Sequence, residues 1–149
     1  MKVVIQRVHS ASVKVEQCEI SKIKYGLLIF LCVEKNDSDR DINYLINKVI
    51  NIRIFKDNNK NMNLSLNDIG GEVLVVSQFT LCANTKRGRR PSFENAETPS
   101  VAKHLFNEFC NNLEGLKINV ETGKFAEMMD VELNNDGPIT ILLDSKDRL

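Results

Sequence analysis

Between Val73 and Pro91 the chain reads VLVVSQFTLCANTKRGRRP. The stretch starts apolar, turns polar at Ser77-Gln78-Phe79-Thr80, and runs on into Lys86-Arg87-Gly88-Arg89-Arg90, where four of five residues are cations. Ser77 and Thr80 carry hydroxyls that can attack or donate a hydrogen bond. An attacking hydroxyl needs a base within reach, because its own pKa leaves it inert. The chain has two histidines, His9 and His104. Neither is adjacent to the motif in sequence, and there is no GxSxG elbow. The hydroxyls therefore read either as reactive groups or as groups that satisfy the backbone at a strand end. His9 reads as part of a turn and His104 as a helix residue beside an apolar stripe, each a surface or satisfied side chain.

The basic loop suits phosphate. Arginine grips it with two parallel hydrogen bonds, and local charge can neutralise several phosphates even though the chain's formal net charge is zero. A second candidate is Asn135-Asp136-Gly137-Pro138. It can be a plain turn. Glycine before proline also lets a ligand approach the backbone closely, since Gly137 has no Cβ. Cys18, Cys32, Cys82 and Cys110 are widely spaced, without CxxC or a nearby histidine pair, so zinc and thioredoxin-like signatures are absent. They read as small core hydrophobes in a reducing cytosol. Nothing argues for a metal or a cofactor. The longest apolar run, Leu27–Val33, is far too short to span a bilayer. Charges at Lys2 and Arg7 leave no signal-peptide core. The expectation is a soluble cytoplasmic protein.

The elements that must position these residues follow from periodicity. With 149 residues, 42% hydrophobic and 27% charged, the chain suits one domain over 1–149. Strands are expected over Lys2–Val8, Ser12–Glu16, Ile20–Ile23, Leu27–Val33, Ile52–Phe55, Val73–Leu81, Leu116–Val120, Val131–Asn134 and Ile139–Asp144. In the central motif Val73, Val75, Ser77, Phe79 and Leu81 share one face, and Leu74, Val76, Gln78, Thr80 and Cys82 the other. Ile42, Leu45, Ile46, Val49 and Ile50 mark an amphipathic helix, capped by Asp37, Ser38 or Asp39. Thr98-Pro99 opens a second helix, whose face is Val101, Ala102, Leu105, Phe106, Phe109 and Leu113 and which Gly115 stops. Lys56–Gly71 reads as a long loop with one turn of helix. The sum is an α+β domain, a curved, mainly antiparallel sheet or open β-barrel with two packed helices.

Several separated motifs resemble one family. They are IQRV at Ile5–Val8, GLL at Gly26–Leu28, VEKND at Val33–Asp37, RIF at Arg53–Phe55, MNL at Met62–Leu64, VLVVSQFTL at Val73–Leu81, TKRG and RPSF after it, TGKFA at Thr122–Ala126 and NDGPIT at Asn135–Thr140. In order and at family-like spacing, over nearly the whole chain, they look like D-aminoacyl-tRNA deacylase. SQFTL and the Gly-Pro motif together are specific.

The resemblance implies a cytoplasmic homodimer that hydrolyses the ester between a D-amino acid and the terminal ribose of tRNA, with glycine mischarged on tRNA also accepted. It implies a Gly-cisPro motif, Gly137 and Pro138, inserted from one subunit into the pocket of the other, with Arg7 bracing it. It implies a site at Ser77, Gln78, Phe79 and Thr80, and a fold shared with an editing domain of archaeal threonyl-tRNA synthetase. Rigid backbone near the α-carbon rejects an L side chain and reads no side chain at all. Two views of the hydrolysis stay open: Thr80 as nucleophile, or the substrate's own ribose 2′-hydroxyl activating water with backbone N–H groups such as that of Phe79 stabilising the oxyanion. Lys86, Arg87, Arg89 and Arg90 are possible tRNA phosphate contacts. The chain departs from the family at Cys32, where glycine is common, at Cys82, where alanine is common, and at Ile139 in place of valine. The alternatives are a sister deacylase with a trans Gly-Pro that edits L-alanyl-tRNA, against which SQFTL argues, and a nucleic-acid-binding module without catalysis.

Overall fold

A computed structural model describes residues 1–59 and 62–148. Lys60 and Asn61, within the expected loop 56–71, lie outside the described residues. Among those described, six strands form one sheet: β1 (Lys2–Val15), β2 (Cys18–Ile23), β3 (Gly26–Cys32), β4 (Glu72–Ser77), β5 (Val120–Thr122) and β6 (Asp130–Asp144). The order is β2-β1-β3-β4-β5, and β6 pairs with the other side of β1. The pairs of β1 with β2, β3 and β6 are antiparallel, and β3–β4 and β4–β5 are parallel. The parallel pairs exist because helices cross over between their strands, α1 (Asp39–Asn51) and the single turn α2 (Leu66–Ile69) before β4, α3 (Pro99–Gly115) before β5. The architecture is the expected α+β domain, with the short third helix falling inside the expected loop.

At the centre of the sheet, in β3 and β4, both faces are buried. Val73 and Val75 pack with Ile5, Ile29, Leu45, Val49, Phe106 and Phe109 on the helix side. Leu74 and Val76 pack with Val8, Val13, Ile23 and Leu28 on the other. Sequence alternation along β4 thus sorts the two cores as expected. Ser77 follows the parity of Val75 and ends on the side of α3. At Gly26 a Cβ would lie 1.9 Å from the Glu72 carbonyl oxygen, so only glycine lets β4 begin against β3 at this register.

Five expectations need correction. Lys2–Val8 and Ser12–Glu16 are one strand, because no glycine or proline interrupts them, and His9 therefore sits in β1 and not in a turn. Val131–Asn134 and Ile139–Asp144 are likewise one strand, β6. Ile52–Phe55 contributes only an isolated bridge, Phe55 to Leu64. The strand expected over Val73–Leu81 stops at Ser77, and Phe79–Cys82 close into a 3-10 turn. The strand expected at Leu116–Val120 begins at Val120.

Candidate functional site

The strand-to-turn change shapes the Ser77–Thr80 segment. The Gln78 N–H still bonds the Leu31 carbonyl at 2.8 Å, holding the segment to β3. Leu81 N–H then bonds back to the Gln78 carbonyl at 3.2 Å and Ala83 N–H to Thr80 at 3.1 Å. The first N–H groups of a 3-10 turn have no partner within it, so those of Phe79 and Thr80 are available outside the ladder. The Gln78 side-chain amide donates to the Thr80 hydroxyl. The Phe79 ring is 58% exposed and meets Phe93 edge-on, with centroids 4.9 Å apart.

Ser77, Gln78, Phe79 and Thr80 together line a cleft of about 600 Å³. Its opposite wall comes from α3, through Ala102 and Phe106, and from Phe125–Met129. That volume lies in the range of small-molecule sites. Met128, 90% exposed, stands at this wall. Glu97 and Glu127 also line it. Glu97 accepts a bond from the Thr98 N–H at 2.7 Å, and Glu127 pairs with Lys124 at 3.6 Å. No histidine lines the cleft among the described residues, and no group of three or more His, Cys, Asp or Glu is assembled among them.

Cys32 and Cys82 correct the reading of the cysteines as free core thiols. Both are buried as expected, but they are joined by a disulfide with Cα atoms 6.8 Å apart. The 3-10 turn folds Cys82 back over the end of β3, which brings the two together. The bond therefore ties the segment carrying Phe79 and Thr80 to the central strand. Cys18 is exposed and free; Cys110 is buried, and burial pushes its thiol up to about 12.

Gly137 and Pro138 do not line this cleft. In the β1–β6 register Gln6 pairs with Thr140 and Val8 with Asn135, so Arg7 alone faces Asp136–Ile139. The four residues form a bulge. The Asn135 side chain closes it, accepting from the Ile139 N–H at 2.7 Å and donating to the Ile139 carbonyl at 2.9 Å. The Gly137–Pro138 bond is cis, and both residues are exposed. A Cβ on Gly137, whose φ is +142°, would meet Ile139 Cγ1 at 2.8 Å and an Arg7 nitrogen at 3.3 Å.

Arg7 is buried beneath this bulge. Its Nε donates to the Asp136 carbonyl at 3.1 Å and pairs with the Asp136 carboxylate at 3.0 Å, and its guanidinium also donates to the Ile54 carbonyl. Tyr25 donates to Asp136 Oδ2 at 3.2 Å and His9 Nε2 stands 3.5 Å from Oδ1. Burial, reinforced by the Asp136 charge, holds the Tyr25 hydroxyl above its ordinary pKa. The sequence reading missed Asp136, Tyr25 and His9 as a group. Its only signal was an acid next to Gly-Pro, since the partners lie more than a hundred positions away.

The register also separates the two motifs. Arg7 pairs with Leu27 and Ser77 with Leu31. The bulge and the Ser77 end of β4 are thus four residues and three strands apart, roughly 20 Å along the sheet. The third candidate, the basic loop, is pinched at its base by bonds between Asn84 and Ser92 at 2.8 and 3.0 Å. Lys86, Arg87 and Arg90 line a concavity of about 470 Å³ there, and Arg89 is exposed beside them. No ion pair among the described residues involves these four cations.

Comparison with known proteins identifies the family. The model of the family described as D-Tyr-tRNA(Tyr) deacylase matches residues 4–144. The chain is 53% identical to a D-aminoacyl-tRNA deacylase of Thermosipho africanus, over 98% of each chain. It is 52% identical to one of Clostridioides difficile, over 97% of each. A solved structure described as c-Myc DNA Unwinding Element Binding Protein superimposes with a TM-score of 0.91 at 34% identity, covering 97% of this chain and 98% of that one. Another, described as a probable eukaryotic D-amino acid tRNA deacylase, has a TM-score of 0.82 at 16% identity over 95% and 97%, a likeness of fold. The chain belongs to the D-aminoacyl-tRNA deacylase family, and is a hydrolase of the ester bond in D-aminoacyl-tRNA.

Proposed function

We propose that two copies of this chain form the working enzyme, each inserting its Gly137–Pro138 bulge into the Ser77–Thr80 cleft of the other. The observation that carries this reading is the separation of roughly 20 Å along the sheet between the two motifs in one protomer. The bulge is exposed and braced from below by Arg7, a form suited to entering a second surface.

In the assembled site the terminal adenosine and its aminoacyl group occupy the cleft. Backbone of the bulge faces the α-carbon, accepts hydrogen bonds from the amino group and leaves no room for an L side chain. Rejection by a rigid surface needs no contact with the D side chain, so D-amino acids of different kinds pass, and glycine passes because it has none. Water then adds to the ester carbonyl. The Phe79 and Thr80 N–H groups stabilise the oxyanion, and the bond to the ribose oxygen breaks to release tRNA and the D-amino acid. The ribose 2′-hydroxyl orients the water, which suits a cleft lined by no histidine among the described residues. Lys86, Arg87, Arg89 and Arg90 bind phosphates of the tRNA. The place of work is the cytoplasm, where tRNA is charged. No helix of the described residues is long and apolar enough to cross a membrane.

Paired assays on D-tyrosyl-tRNA and L-tyrosyl-tRNA test the selection. A much faster rate on the D substrate is expected, and equal rates overturn it. A second reading, nucleic-acid binding without cleavage, is favoured by the 34% identical neighbour described as a DNA-element-binding protein. Gel-shift binding of DNA or tRNA with intact ester would support that reading.

A further inference from the structure

We propose that Asp136 is a positioning residue for the Gly137–Pro138 bulge, held by a three-way clasp of Arg7, Tyr25 and His9, and that this clasp sets the D/L discrimination. The inference rests on the reading of that bulge as the chiral selector.

Gly137 and Pro138 face outward, whereas the Asp136 side chain turns inward, only 12% exposed. Its Oδ2 receives Arg7 Nε at 3.0 Å and the Tyr25 hydroxyl at 3.2 Å, and its Oδ1 faces His9 Nε2 at 3.5 Å. The three partners come from two strands' worth of chain: Arg7 and His9 from β1, Tyr25 from the residue before β3. Each is itself fixed. Arg7 also holds the Ile54 and Asp136 carbonyls. Tyr25 stacks on His9 with centroids 5.9 Å apart and meets Phe55 edge-on at 5.5 Å. A carboxylate whose Oδ2 takes two donors from different directions, with His9 packed beside its Oδ1, resists rotation, and the peptide that follows it leads directly into Gly137. Asn135 fixes the ends of the bulge to each other, but it does not tie the bulge to the sheet beneath. Among the described residues the Asp136 clasp is the polar tie from a side chain inside the bulge, beside the buried Ile139 side chain, which packs in the core. A selector that works by steric exclusion loses selectivity when it can give way, so loosening the clasp admits L substrates before it abolishes hydrolysis.

The test uses the full-length protein and three variants. Asp136→Asn removes the charge and keeps the shape. Tyr25→Phe removes one hydrogen bond and keeps the ring contacts. Pro138→Ala alters the selector itself. The reads are kcat/KM on D- and L-tyrosyl-tRNA and the thermal midpoint of each protein. Asp136→Asn is expected to lower the D/L ratio about tenfold, the worth of one charge-assisted hydrogen bond, and Tyr25→Phe about fivefold. The shift should appear as faster L-ester hydrolysis. If Tyr25→Phe and Asp136→Asn slow both substrates by one common factor, the clasp is merely structural and the proposal falls. If Asp136→Asn does not fold, Tyr25→Phe alone decides in the same way. If Pro138→Ala leaves the D/L ratio unchanged, the bulge is not the selector, and the underlying reading falls with the proposal.

Discussion

The side-chain amide of Gln78 donates to the hydroxyl of Thr80. An amide in either orientation supplies no base, so the nearest polar partner of the hydroxyl cannot take its proton. Under the proposed mechanism Thr80 is held in place and does not attack. Thr80→Ala is expected to keep kcat within about tenfold of the parent, whereas loss of a true nucleophile costs about 10⁴-fold or more. Substrate ending in a 2′-deoxyribose should be hydrolysed at least about a hundredfold more slowly, as for loss of a positioned acid–base group. Single-turnover rates on both measure this. A collapse of Thr80→Ala with normal turnover of the deoxy substrate would return the role to threonine.

The basic loop should act on binding alone. Its four cations are unpaired among the described residues and sit on a hairpin pinched at Asn84 and Ser92, away from the bulge. Arg87→Glu with Arg90→Glu should raise KM for aminoacyl-tRNA about tenfold or more and leave the D/L ratio unchanged. The salt dependence of binding should flatten by about 0.7–0.9 in log–log slope per lost phosphate contact. A changed D/L ratio would mean that the loop helps to shape the aminoacyl site.

Part of this was legible in the sequence. Helices α1 and α3 show because their apolar residues recur with helical period and their ends carry Ser38 and Thr98-Pro99. Strand parity from Val73 to Ser77 shows because both faces are buried. The fusion of the last two strands does not show. Asn135-Asp136-Gly137-Pro138 has the composition of a chain-reversing turn, yet here it bulges from a strand that stays on one partner, and only the register with β1 distinguishes the two. The 3-10 turn after Ser77 is too short to have a period. The direction of β4 relative to β3 leaves no local mark. Tyr25 and Asp136 meet across 111 positions, and Cys32 and Cys82 across 50, distances no local pattern encodes.

Acid should loosen the start of α1. Burial alone would raise Asp41, but bonds from the Ser145 hydroxyl and from Ser38 outweigh it and hold the carboxyl below its ordinary value, with Arg148 at 3.4 Å assisting. The Ser38 N–H and hydroxyl both reach Asp41 Oδ2, at 2.9 and 3.0 Å. Glu34 is also lowered: its burial is outweighed by Lys146 at 2.8 Å and Lys2 at 3.0 Å. A carboxyl whose pKa is lower folded than unfolded binds more protons when unfolded. Its stabilisation is full above the unfolded value, about 4, and is lost as pH falls through the folded one. Urea midpoints should therefore drop between pH 5 and 3, roughly. Asp41→Asn should cost about 1 kcal/mol at pH 7 and flatten that drop. An unchanged slope would mean that other carboxyls govern the acid limb.

The disulfide yields the last prediction. The resemblance reads Cys32 and Cys82 as two separate departures from the family's pattern, and the structure joins them to each other. The bond closes a loop of 50 positions, which corresponds to about 2–4 kcal/mol when it forms without distortion. It also ties the turn bearing Phe79 and Thr80 to the end of β3, so its reduction should loosen the strand end as well as the fold. The oxidised protein should melt about 5–10 °C above the reduced one, with a modestly higher kcat and no change in KM. Both disulfide sulfurs are nearly fully buried, so reductant should act slowly until the turn opens, and the exposed free thiol of Cys18 should be the first to react with a thiol-labelling reagent. Cys82→Ala should remove the sensitivity to reductant and match the reduced parent in midpoint and rate. Thermal scans with and without dithiothreitol, together with thiol counts under native conditions, measure all three. Equal midpoints in the two states, with all four thiols free in air-equilibrated protein, would show that the pair packs as two separate thiols.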